Sequence, residues 1–358
     1  MIVNLEELQP GSILAEDIYI RTNRPIITAK TVLTKEHIKI LKSFLVKEVT
    51  IENTRIDGTK IMQSSSSIHK QARNEKKSNF LELFIQTVQL YKKEFLSWQS
   101  GLPVNIANIR NILLPLLEEV ENVSKEIFSI YHLSNKKEYL YQHSIAVAVI
   151  SALIAEKMNY SYRDMIQVAL AGCLSDAGMA KINQRLLHKT EPLTEDEFNE
   201  VKKHTRYSLE MIPEHTLLKK ETRLAIYQHH ERIDGSGYPM GNADNKIHAF
   251  AKIIAVADTF HAMTSERLYR KKQSPFRVIE QMHQDHFGEF DLTILQSLSN
   301  AITQFTTGSK IRLSNGEKAE ILFISSIPTR PLVKTLENEL ILDLEKNRHI
   351  FIEEILEY

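Results

Sequence analysis

The stretch HHERIDGSGYP, residues 229–239, sets two adjacent histidines and a glutamate directly before a glycine-rich turn that closes on Tyr238 and Pro239. Adjacent histidines project in different directions, so one packing contact rarely satisfies both. Taken alone, the glycine-rich part is no more than a tight turn. A lone histidine on an apolar face is more often a hydrogen-bonded core residue than a ligand. The meaning of the stretch therefore depends on its surroundings.

Outward from it, side chains able to bind metal recur at helix positions: His143, Asp176, His204, His229, His230 and Asp258. His143 shares a helix face with Val147, Ile150 and Ile154, so it should point towards the core. Asp258 sits within AKIIAVADTFHAM, residues 251–263, an otherwise apolar helix. An aspartate buried there is costly unless it is paired or binds a metal. Imidazoles and carboxylates gathered from several helices suit Mn, Fe or Zn better than Ca. Two such ions about 4 Å apart, bridged by a carboxylate, can activate water and clamp both oxygens in a phosphodiester displacement.

The 358 residues suffice for two domains or for one large domain with appendages. Hydrophobic residues at 42% and charged residues at 25% are those of an ordinary globular protein. Lys+Arg and Asp+Glu balance at 45 each, which excludes a global field drawing the chain to DNA, RNA or an anionic membrane. The single cysteine, Cys173, rules out an intramolecular disulfide and is expected as a small buried hydrophobe. No uninterrupted apolar run of about 18 residues is present, and the first residues lack a basic, then apolar, leader pattern. A cytoplasmic protein without membrane insertion is the expectation.

Along the chain the composition predicts five segments. Residues 1–53 alternate β-branched runs with turns and carry one helix with Thr34 as N-cap, a small α+β module. Residues 54–78 are serine-rich and polar, a linker whose basic run at 69–77 is expected to be solvated. Residues 79–137 form a helical connector, with Phe80, Phe84, Val88, Tyr91 and Phe95 on one helix face. A second helix there carries Ile109, Leu113, Leu116, Val120, Ile127 and Ile130, and Pro115 should kink or split it. The aromatic face, Trp98 included, predicts core packing or a seam between two copies, so a homodimer through residues 80–133 is one expectation. Residues 138–306 hold consecutive helices, with capping boxes at Ser161/Asp164 and Thr194/Glu197, Ser274 before Pro275 as a further start, and Asp291 as another cap. Residues 307–358 return to strands, with Asn315-Gly316 as a hairpin turn. The fold class is mainly α, with a small α+β N-terminal module and a short β-rich C-terminal tail.

HHERIDGSGYP resembles the signature of the HD-GYP family, a branch of the HD phosphohydrolases. The likeness extends to HSIAVAV (143–149), PLTEDEFNEVKKHTRYSLEMI (192–212), AKIIAVADTFHAMTSERLYR (251–270) and FGEFDLTIL (287–295), in order across residues 138–306. The resemblance implies an all-helical, metal-dependent domain that binds two or three ions and hydrolyses cyclic di-GMP to pGpG or GMP. By position it makes His143, Asp176, His204, His229, His230 and Asp258 metal ligands, with Asp176 as the bridging, catalytic carboxylate. Arg267 and Arg270 would hold the dinucleotide's phosphate or guanine, although without the resemblance ordinary surface salt-bridging accounts for them equally well. Gly235, Gly237, Tyr238 and Pro239 would shape the substrate loop. The implied cofactor is one or two divalent ions, Fe or Mn before Zn or Ni.

The chain departs from the family at GCLSDAGMAKI, residues 172–182, where the pattern is His-Asp-x-Gly-Lys. Ser175 replaces the histidine and Met179 the lysine. A serine hydroxyl is a poor transition-metal ligand beside imidazole, so the centre of His143, Asp176 and Asp258 is left one ligand short. The centre of Asp176, His204 and His229, with His230 nearby, is intact. Lys181 should face elsewhere, and Glu138 is an open candidate for an upstream ligand. His283 and His286 fit a solvated helix end. These departures reduce catalysis more than binding. The expectation is a receptor for cyclic di-GMP or a related nucleotide, with weak or lost phosphodiesterase activity, relaying occupancy to a protein partner in bacterial second-messenger signalling. The alternatives are a working metal-dependent phosphodiesterase and, more remotely, a scaffold with a vestigial site.

Overall fold

The computed structural model describes residues 1–5, 7–19, 25–44, 46, 48–59, 80–134, 136–214, 217–266, 272–284 and 288–357. Most of the stretch expected as a linker, its basic run, Arg267, Arg270 and His286 lie outside the described residues.

The N-terminal segment contains β1 (Ile2–Asn4), β2 (Ile18–Tyr19), β3 (Pro25–Ile27), α1 (Lys35–Ser43) and β4 (Glu48–Thr50), with β1 paired to β4 and β2 to β3, both antiparallel. Thr34 caps α1 as predicted: its hydroxyl accepts from His37 N while its own N–H donates to His37 Nδ1. Leu14, Leu33, Leu41 and Val49 close a small apolar core of their own.

Helix α2 (Phe80–Gln99) buries the predicted aromatic face, Phe80, Phe84, Val88, Tyr91 and Phe95, together with Trp98. Those rings pack into the same apolar core as the later helices, so they are spent within the chain rather than on a seam between copies. Helix α3 (Ile106–Leu117) tolerates Pro115 in its last turn and stops two residues later, and α4 (Val123–Leu133) continues after a 3-10 turn. The split falls where a missing N–H and a bulky ring make continuation expensive.

The centre is α5 (Tyr139–Lys157), α6 (Tyr162–Leu174) and, after four short helices, α11. The intervening elements are a 3-10 turn at Ala177–Lys181, α7 (Gln184–Leu187), α8 (Glu195–Lys202), α9 (His204–Glu210) and α10 (Lys220–Gln228). Helix α11 (Ala249–Thr264), α12 (Pro275–Gln284) and α13 (Leu292–Ile302) complete the helical part. Helix α5 is apolar on every side because α6, α11, α2 and α13 all pack against it. It is long and apolar enough to cross a membrane, yet 78% of its most apolar window is buried inside the fold.

Caps fall largely where the sequence places them. Thr194 and Glu197 form a full capping box, and Asp291 caps α13. Ser161 caps α6, but the Asp164 carboxylate accepts from the Ser161 hydroxyl instead of reaching back to the backbone. The Ser274 hydroxyl donates to Ile352 O, 2.8 Å away, and so fastens the start of α12 to the tail. That tail is a five-stranded antiparallel sheet of β5 (Lys310–Leu313), β6 (Lys318–Phe323), β7 (Leu332–Thr335), β8 (Ile341–Asp343) and β9 (Ile352–Glu357), in the order β8-β7-β6-β5-β9. Asn315-Gly316 makes the β5–β6 hairpin, with Gly316 at φ 88°.

Candidate metal centre

Every predicted metal-binding side chain falls in one place. His143 comes from α5, Asp176 from the turn after α6, His204 from the first turn of α9, His229 and His230 from the end of α10, and Asp258 from α11. One glycine makes the convergence feasible. A Cβ on Gly178 would lie 2.1 Å from His204 O and 2.5 Å from Ser208 N, so only glycine lets α9 dock on the turn that carries Asp176. The docked pair is stitched by Gly178 N to Ser208 Oγ at 2.7 Å and Ser208 Oγ to Ser175 O at 2.6 Å.

Local geometry then sets which ring nitrogen each histidine offers. His204 Nδ1 lies 2.7 Å from Val201 O and His229 Nδ1 lies 2.8 Å from Ile226 O. Each Nδ1 therefore carries its proton and donates to that carbonyl, leaving an Nε2 lone pair. The two Nε2 atoms stand 3.4 Å apart, and Asp176 Oδ1 lies 3.2 Å from the first and 3.8 Å from the second. Asp176 Oδ1 is buried and accepts no hydrogen bond of good geometry. Two lone pairs and a carboxylate oxygen facing one another without a proton between them repel. A cation among them removes the conflict, so the residues present fit a metal ion.

The other Asp176 oxygen serves a second set. Oδ2 is 3.5 Å from His143 Nε2, which itself lies 2.8 Å from Asp258 Oδ1. Ligand atoms of His143, Asp176 and Asp258 lie within 4.8 Å of one another, as do those of Asp176, His204, His229 and His230. Asp176 thus stands between a trio and a quartet. His230 leans towards both, with Nδ1 3.7 Å from Asp258 Oδ2.

Charge follows from enclosure. Burial alone would push the Asp176 carboxyl up, but His229, His204 and His143 outweigh it and hold the group below the usual carboxylate range. Asp258 behaves alike: burial opposes ionisation, and the hydrogen bond and charge of His143 reverse the balance. Burial pushes the His204 imidazole down, and burial with the neighbouring His229 and His204 pushes His230 well down. Neutral imidazoles and ionised carboxylates are the forms that ligate metal.

Ser175 does not face the trio. Its hydroxyl donates to Gly172 O at 2.8 Å, back along its own helix. Met179 packs against the apolar core. Lys181 lies over the Tyr207 ring at 5.7 Å, and Glu138 pairs with Lys92 at 2.8 Å. His283 sits half-buried in the last turn of α12, outside both sets. Cys173 is fully buried.

The loop of residues 231–242 folds over the quartet. The Glu231 carboxylate accepts from Met240 N and Asn242 N, both at 2.8 Å. Gly235 adopts φ 83°, and a Cβ on Gly237 would lie 2.4 Å from His230 O. That contact lets Tyr238 N donate to His230 O at 3.1 Å and places the Tyr238 ring 4.7 Å from the His230 ring; Tyr238 and Pro239 are joined by a cis bond. Two roles were not foreseen. His261, one turn beyond Asp258, has Nδ1 2.9 Å from His143 Nδ1, and the Tyr139 hydroxyl is 3.3 Å from the same atom. The i, i+3 spacing of Asp258 and His261 on an apolar helix was the signal for it. Glu231, quoted within the opening stretch, was given no role and turns out to fasten the loop.

Residues 129–293 match the HD domain family. The chain carries an HD domain. Among similar proteins, cyclic di-GMP phosphodiesterase PA4108 of Pseudomonas aeruginosa is 28% identical over 222 residues, 62% of this chain and 53% of that protein. The cyclic di-GMP phosphodiesterase response regulator RpfG of Xanthomonas campestris pv. campestris is 34% identical over 165 residues, covering 44% of this chain and 43% of its own. The 3'3'-cGAMP-specific phosphodiesterase 1 of Vibrio cholerae is 30% identical over 233 residues, 62% of this chain and 53% of that one. The chain spans about half the length of these relatives. A solved HDG"Y"P protein of Bdellovibrio bacteriovorus, Bd1817, aligns over 84% of this chain and 98% of its own with a TM-score of 0.48 and 13% identity. Within the HD domain, the HD pair itself reads Ser175-Asp176.

Proposed function

We propose that the chain binds cyclic di-GMP, or a related cyclic dinucleotide, at a metal-loaded HD site in bacterial second-messenger signalling, and hydrolyses it slowly or not at all. The observation that carries this reading is the contrast at Asp176: three histidines gather about one side of its carboxylate, while on the other side Ser175 turns its hydroxyl to Gly172 O. Asp176, His204, His229 and His230 would hold one divalent ion, Fe or Mn by donor set, and His143, Asp176 and Asp258 a weaker second. Bound ions there would polarise a phosphodiester and lower the pKa of water. Asp176 orients the two ligand sets, Tyr238 and the glycines at 235 and 237 wall the quartet, and Arg267 and Arg270 are assigned the phosphate or guanine. Met179, packed against the core, has no charge to offer a phosphate. Occupancy would pass to a protein partner through the flanking segments, and a homodimer through residues 80–133 would have to use exposed side chains such as Leu90 and Leu96.

The second reading is an active phosphodiesterase giving pGpG or GMP. It is favoured by the trio, which converges despite the missing ligand. Incubating cyclic di-GMP with excess protein and Mn²⁺ or Fe²⁺ and identifying the products separates the two. Cyclic di-GMP that is bound but returned intact is the expected result. Product that forms with the wild type and disappears in His229→Ala establishes the enzyme.

A further inference from the structure

Beside the quartet lies a group of side chains that holds no ligand atom. Helix α8 ends at Lys202, two residues before His204, and leaves Phe198 44% exposed. The Phe198 ring meets Tyr238 edge-on, centroids 6.2 Å apart at 81°, and Tyr238 in turn lies over His230. Lys202 Nζ stands 4.6 Å from the Phe198 centroid and 5.6 Å from that of Tyr238. An exposed ring, an ammonium and the loop tyrosine are therefore continuous with the ligand cluster.

The neighbouring cations are engaged elsewhere. Arg232 donates to Thr259 Oγ1 and to Glu231 O and lies 3.7 Å from Glu289. Lys252 pairs with Asp244, Lys189 with Glu197 and Lys203 with Glu200. Among the described residues Lys202 meets no carboxylate, and its hydrogen bond is a 3.3 Å contact to Asn199 Oδ1. A π-face takes a nucleobase whatever its hydrogen-bonding edge, and an ammonium takes a phosphate oxygen.

We propose that Phe198 and Lys202 form a rim subsite for a nucleotide, Phe198 stacking a base and Lys202 contacting a phosphate. This rests on the nucleotide-binding function above and assigns two ligand-contacting residues to that site. Phe198 is exposed and Lys202 half-buried, and neither belongs to the core, so changing them spares it.

The test is calorimetric titration of the full-length, Mn²⁺-loaded chain with cyclic di-GMP and, separately, with GMP. Phe198→Ala, Phe198→Leu and Lys202→Gln should each weaken nucleotide binding about tenfold or more, with Mn²⁺ affinity unchanged. Lys203→Gln, the same loss of charge one residue on, should leave binding as in the wild type. Cyclic di-GMP binding that survives all three changes overturns the subsite and leaves the receptor reading standing. Binding of GMP that weakens in the three variants, with no binding of cyclic di-GMP by the wild type, supports the subsite and overturns the dinucleotide reading. If the wild type binds neither probe, both fall. Full affinity in Phe198→Leu alone overturns stacking as the role of Phe198.

Discussion

The quartet and the trio share Asp176 but are scaffolded differently. In the quartet, His204 and His229 each anchor Nδ1 on the carbonyl three residues earlier, Val201 O and Ile226 O, so each ring is oriented by its own backbone. In the trio, among the described residues, the Nδ1 of His143 meets side chains alone, His261 from α11 and Tyr139 one turn earlier on α5. A backbone anchor exists whenever the local helix forms, whereas a side-chain anchor exists only once two helices have packed. The half held by local structure has the larger set of candidate ligands, and the half held by tertiary contacts is the one beside Ser175.

The change that should hurt most is Asp176→Asn, because it replaces one oxygen and removes the charge of the carboxylate that both sets share. Its loss of metal after dialysis, measured by mass spectrometry of the metal content, should exceed the roughly 10–100-fold that an outer-shell partner costs. Retention of wild-type metal content would falsify the shared-carboxylate arrangement. Next is His261→Leu, which removes the anchor of His143 and nothing in the quartet. Competition with a chelator should show the weaker class of sites losing about 10–100-fold in affinity while the tighter class is unchanged. A uniform loss would mean that the halves are not independent. Smaller is the gain from Ser175→His combined with Met179→Lys, which puts an imidazole next to Asp176 and an ammonium three residues beyond it. On the order of a tenfold rise in hydrolysis of cyclic di-GMP is expected, from a better-held second ion. An unchanged rate, with metal content raised, would move the deficit away from these two positions.

Much of this was legible before any coordinates. Asp258 announced itself because a carboxylate in an apolar helix must be compensated, and the paired histidines because no single contact serves both. Caps at Thr34, Thr194 and Asp291 were readable since capping is local. What could not be read depends on distant partners. Gly178 looks like any glycine until α9 lies against it, and Ser274 looks like a cap until β9 takes its hydroxyl. The α2 aromatics were ambiguous between core and seam, since periodicity says which face is apolar and not what covers it. His261 carried a signal, its spacing from Asp258, that the residue type alone did not rank above ordinary packing.

The smallest expected effect is a pH dependence, and it belongs to the quartet. Burial pushes His204 and His230 below the ordinary imidazole value of about 6.5 in the folded, metal-free chain. Above that value both the folded and the unfolded rings are neutral, and their stability contribution is complete. As pH falls below about 6.5 the unfolded chain takes up protons that the folded one refuses, so stability declines until the depressed folded values are passed. Asp176 and Asp258, also held low, add a second decline only below about pH 4, as the unfolded carboxylates protonate first. Chelator-treated protein should therefore lose thermal stability between about pH 7 and 5, and His230→Gln should flatten that slope. A flat wild-type profile would require His204 to reach solvent, and its side chain is completely enclosed, with Asp176, His229 and Val201 O at its ring nitrogens.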